Sequence, residues 1–83
     1  MSTDSYKRMI QKRKRCILVL LKKIKHNEEL YNNKILKFSR WIRRDEIIKE
    51  KINVFIDEII YYKSLIEKDK QWRIEHNYKK YQN

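Results

Sequence analysis

Apolar residues recur along this chain at three-, four- and seven-residue steps. One series runs through Ile10, Ile17, Leu21, Ile24, Tyr31, Ile35, Phe38 and Ile42; a second runs through Trp41, Ile48, Ile52, Phe55, Ile59, Tyr62 and Ile66. Both follow one face of an α-helix, and neither shows the period of two that a strand requires. The pattern therefore predicts an all-α protein.

Two places carry the signals of a helix end followed by a helix start. Lys22-Lys23-Ile24-Lys25-His26 precedes Asn27-Glu28-Glu29, and Arg40 to Arg44 precedes Asp45-Glu46. Cations at the end of one helix and anions at the start of the next both complement the helix dipole, and Asn is a good N-cap. The expectation is two or three helices, near 4–26, 28–44 and 46–78, in a helical hairpin or small bundle. The chain contains no glycine and no proline, so either junction can equally run through as continuous helix.

The last segment is the most apolar. From Ile47 to Ile66, twelve of twenty residues are Ile, Val, Leu, Phe or Tyr, more than one narrow stripe can hold. A helix apolar over so much of its circumference needs neighbours on more than one side. Ile48, Ile52, Phe55, Ile56, Ile59, Ile60, Tyr62 and Ile66 are the expected interface with a partner chain, either a second copy or a different protein. At 83 residues the chain forms one domain, close to the size at which small folds need outside help. Cys16 is the only cysteine, which excludes an internal disulfide and suits a reducing compartment.

Charge divides the same domain in two. The formal net charge is +11, and the first 27 residues hold nine lysines and arginines against Asp4 alone. Residues 45–83 hold eight acids and eight bases. A basic N-terminal arm, about 5–26, thus precedes a neutral amphipathic helix, about 46–78. The neutral half places opposite charges four apart, at Asp45 and Lys49, Asp69 and Arg73, and Glu75 and Lys79. The arm forgoes such pairs and accepts its own repulsion, which an anionic partner would relieve. The expected partner is nucleic acid, met through its phosphates without base readout. The residues that would meet it are Lys7, Arg8, Lys12, Arg13, Lys14, Arg15, Lys22, Lys23, Lys25, Arg40, Arg43 and Arg44. Nucleus or nucleoid is the expected location, with the mitochondrion as an alternative. Trp41 lies among arginines but on an apolar helical series, where it reads as a packing residue. Tyr78, Lys79, Lys80 and Tyr81 interleave aromatic and basic side chains near the end of the chain.

Other chemistry finds little to stand on. His26 and His76 are far apart, Cys16 opens an apolar run, and no glycine-rich phosphate loop is possible. No enzyme activity, cofactor or metal site is expected. The longest apolar run, Cys16 to Leu21, is six residues, against the roughly 20 that cross a bilayer. The expectation is therefore a nucleic-acid-associated subunit that also binds a protein. A purely structural subunit of a larger complex is the alternative, and a peripheral membrane-surface protein is the third reading.

Overall fold

A computed structural model describes the backbone of residues 3–81 and the side chains of residues 3–76. The chain is all-α: helix α1 spans Thr3–Asn32 and helix α2 spans Phe38–Tyr81. The two pack against each other as an antiparallel hairpin measuring 72 × 16 × 16 Å. Both expected junctions run through as helix, and the single turn lies between them, at residues 33–37.

The turn is built without its usual residue. Lys34 adopts a left-handed φ of 61°. Its N–H donates to the Tyr31 carbonyl at 3.0 Å, and the Ile35 N–H donates to the Leu30 carbonyl at 2.9 Å. This pair of bonds is the Schellman ending, which normally places glycine where Lys34 stands. A side chain in the left-handed region costs about 1–2 kcal/mol. Lys34→Gly should therefore raise the stability of the hairpin by about 1 kcal/mol in urea unfolding, against the extra freedom that glycine gives the unfolded chain.

The seam between the helices follows alternating steps of three and four. On α1 it comprises Thr3, Tyr6, Ile10, Arg13, Ile17, Leu20, Ile24, Asn27 and Tyr31, each buried or half-buried. On α2 it comprises Trp41, Asp45, Ile48, Ile52, Phe55, Ile59, Tyr62, Ile66 and Asp69, with the same burial. Such a 3–4 repeat is the packing pattern of coiled coils. Contacts at both ends fix the register. Thr3 Oγ1 donates to Asp69 Oδ2 at 2.6 Å, and Tyr31 stacks on Trp41 with centroids 4.6 Å apart and planes at 10°. Equal steps between them set Ile17 opposite Phe55 and Ile24 opposite Ile48.

This seam differs from the expected α1 face. Leu20 is buried in it, whereas Leu21, Ile35 and Phe38 are exposed. On α1 the cause is that Arg13 and Asn27 occupy seam positions and interrupt the apolar series, whereas Ile35 falls in the turn and Phe38 opens α2. The Arg13 guanidinium pairs with Glu58, lies 4.8 Å from the centroid of the Tyr62 ring and donates to the Met9 carbonyl at 3.2 Å. A charge at the seam is tolerable because it is paired, hydrogen-bonded and laid on an aromatic face.

Six of the eight residues expected to meet a partner chain are turned inward instead. Ile48, Ile52, Phe55, Ile59, Tyr62 and Ile66 pack toward α1, and Ile56 and Ile60 alone remain exposed. The basic helix of the same chain covers this part of the face, and Ile52, Phe55, Tyr62 and Ile66 stay half-buried against it. Two helices cannot enclose a core completely, and no large side chain among the described residues is fully buried. Both open flanks keep apolar residues: Leu18, Leu21, Ile56 and Ile60 on one, Val19, Ile47, Val54 and Tyr61 on the other.

Candidate polyanion face and flanking groove

Helix α1 is long because nothing stops it. Lys, Arg, Gln, Leu and Met are good helix formers, and the seam against α2 offsets the repulsion among its cations. Arg13 apart, its basic residues point away from that seam. Arg8, Lys12, Arg15 and Lys22 follow one another at steps of four, three and seven, forming a row roughly 21 Å long at 1.5 Å per residue. All four are exposed. Lys7, Arg8, Gln11, Lys12 and Arg15 surround one shallow surface depression. Among the described residues none of these cations holds an ion pair, and neither do Lys14, Lys23 and Lys25.

The arginines of α2 stand at the other end of the hairpin. Arg40, Arg43 and Arg44 are exposed in its first two turns, and the first turn holds no acid. The positive end of the helix dipole adds to their charge instead of offsetting it. Arg44 meets α1 across the flank, where it lines a small depression with Lys23, His26, Asn27, Ile47 and Ile48. The structure thus joins Arg44 to Lys23. Residues 7–15 lie near the far end, beside the stretch of α2 that contains Glu58 and Tyr62.

Arg13 stands apart from the other cations because Glu58 already neutralises it. Elsewhere opposite charges pair along α2: Lys49 Nζ lies 2.6 Å from Asp45 Oδ2, and Arg73 Nε lies 3.3 Å from Asp69 Oδ2. The hydrogen bond and charge of Asp45 raise the Lys49 ammonium above its ordinary pKa. Its contribution is complete below the ordinary lysine value and is lost as pH rises through the raised one. The Glu75 and Lys79 pairing, and the cluster from Tyr78 to Tyr81, lie outside the described side chains.

Trp41 is committed to packing. Besides the Tyr31 stack, it meets Phe38 at 5.9 Å, and Phe38 meets Tyr31 at the same distance. Its indole N–H is buried without a partner, which marks a ring held for shape and area. His76 stacks on Trp72 with centroids 3.7 Å apart, and Nδ1 lies 2.8 Å from the Trp72 carbonyl oxygen.

Cys16 lines a groove on the flank of the hairpin that also carries Arg44. Val19, Leu20 and Phe55 form the remaining apolar wall, and Arg15 and Lys51 stand at its edges, enclosing about 380 Å³. Sequence reasoning missed this feature, because it exists only where two helices meet. Among the described residues no helix is long and apolar enough to cross a membrane, and no three His, Cys, Asp or Glu side chains converge as a metal site would require. No family model, curated protein or solved structure matches the chain.

Proposed function

We propose that this hairpin is a non-enzymatic, nucleic-acid-associated subunit that binds the phosphate backbone through the outer face of α1. The observation that carries the reading is the unpaired row of Arg8, Lys12, Arg15 and Lys22. Lys7, Lys14, Lys23 and Lys25 widen it, and Arg44 extends it toward the turn. A helix that merely needed solubility would mix acids into this face, as α2 does on its own. Contacts of this kind neutralise phosphates and carry no sequence information. The expected location is nucleus or nucleoid.

Salt titration tests the reading directly. If about five phosphates are neutralised on duplex DNA, log affinity falls with log salt at a slope of about −4.5, or about 500-fold between 50 and 200 mM. Arg15→Gln should reduce that slope by about 0.9, because it removes one contact. Arg13→Gln should leave the slope unchanged, because Glu58 already holds that charge. A flat salt response, or no binding at low salt, overturns the proposal.

A second reading, a structural subunit of a protein complex, draws on the apolar residues left open on both flanks. It predicts a stoichiometric protein partner that remains bound after nuclease treatment.

A further inference from the structure

The groove beside Cys16 does not stand alone. Seven residues further along α1, and seven back along α2, lies the second depression, formed where Asn27 meets Ile48. The first is formed where Leu20 meets Phe55. The two therefore share one flank and are separated by two helical turns, roughly 10.5 Å. That spacing matches side chains seven apart on one face of an incoming helix. It does not match a strand, whose same-face residues recur at about 6.7 Å.

The rim states the charge of the occupant. Arg15 and Lys51 edge the first depression, and Lys23 and Arg44 edge the second. All four are exposed and unpaired among the described residues. No acid lines either depression, and Glu58, on the same side of α2, is already engaged by Arg13. A second copy laid face to face here would set these four cations against their own kind. Nucleic acid would satisfy the rim but has no apolar side chains for the two depressions. We propose that this flank is a docking groove for an acidic amphipathic helix of another protein, with two large apolar side chains seven residues apart and carboxylates beside them. Burial of the two anchors supplies affinity, and the cationic rim selects the partner. The groove shares Arg15, Lys23 and Arg44 with the proposed phosphate-binding face, but its apolar lining, Val19, Leu20, Ile47, Ile48 and Phe55, takes no part in phosphate contact.

The test uses the full chain and three synthetic helical peptides of equal length. The first carries leucines seven apart flanked by glutamates; the second replaces the glutamates with lysine; the third replaces the leucines with alanine. Binding is read by fluorescence anisotropy and by protection of the Cys16 thiol, which lines the groove. The acidic leucine peptide should bind at least about tenfold more tightly than either control, and it alone should slow Cys16 labelling. Val19 and Ile47 are 54% and 46% exposed, so Val19→Gln with Ile47→Gln should keep the hairpin folded by circular dichroism. That variant should lose the Cys16 protection and about tenfold in peptide affinity, with duplex DNA binding unchanged. Equal binding of the alanine peptide reduces the groove to general charge attraction and overturns the proposal. Equal binding of the lysine peptide removes the charge selection and overturns it too. So does a concentration-dependent dimer that shields Cys16 and disappears in the double variant, since the occupant is then a second copy.

Discussion

Reversing Arg8, Lys12, Arg15 and Lys22 together to glutamate should lower affinity for duplex DNA by about 10³-fold at 100 mM salt. The magnitude follows from counterion release. Each phosphate contact contributes a factor of about 8 at that salt relative to 1 M, so four lost contacts already multiply to more than 10³. Repulsion by the introduced carboxylates adds to the loss. Net charge alone is a competing explanation, because four reversals remove most of the formal +11. A matched variant separates the two. Lys49, Lys63, Lys68 and Lys70 are all exposed on α2, and reversing those four changes the net charge by the same amount. With a Debye length of about 10 Å at 0.1 M, charges away from the contact should cost about tenfold or less. Gel-shift or anisotropy titrations of both variants decide the matter. Equal losses would place the interaction in the overall field of the protein and remove the α1 face from the account.

The location of that face was only partly legible in the sequence. The concentration of cations before residue 27 and their independence from acids were plain, because both are properties of order along the chain. Which cations reach solvent depends on what lies opposite, and Arg13 illustrates the limit. It appears as one more member of the basic run, yet the register brings Glu58 and Tyr62 to it and removes it from the outer surface. On α2 the seam was legible from Ile48 to Ile66, since its apolar residues keep the 3–4 repeat there without interruption. Helix α1 is less legible, because Arg13 and Asn27 occupy seam positions and the spacing from Ile17 and Ile24 favours Leu21 as readily as the buried Leu20.

The turn was displaced for a related reason. Sign changes of charge near residues 26–28 and 44–46 resemble helix ends, but the seam continues unbroken through Ile24, Asn27 and Tyr31, and again through Trp41, Asp45 and Ile48. Seam packing stabilises a helix more than a favourable cap does, so both stretches stay helical. The actual ending at Lys34 lacks the glycine that would have announced it. Once α1 and α2 form a hairpin, the isoleucines of α2 meet the basic helix of their own chain. The surfaces left for other molecules are then the two flanks and the back of α1, and these are properties of the pair of helices.

Trp41→Ala should destabilise the hairpin by about 3 kcal/mol, at the lower end of the range for removing a large aromatic ring because Trp41 is half-buried. The ring joins the two helices next to the turn, stacked on Tyr31 and touching Phe38. Aromatic pairs of this geometry contribute about 0.5–1.5 kcal/mol each beyond the area they bury. Small domains of this size have roughly 0.05–0.15 kcal/mol of stability per residue, so the loss takes a large part of the total. Trp41→Phe should cost far less, because it keeps a ring in the cluster and removes an indole N–H that is buried without a partner. Trp72→Ala serves as the internal control. Trp72 is 57% exposed, it lies on α2 beyond the Thr3–Asp69 contact, and its stacking partner is His76 on the same helix. Its removal should change stability by less than about 0.5 kcal/mol. Urea unfolding followed by circular dichroism at 222 nm measures all three without relying on tryptophan emission. If Trp41→Ala and Trp72→Ala were equally mild, the aromatic cluster would not be what closes the hairpin. The placement of Arg44 beside Lys23, which depends on that closure, would then lose its support.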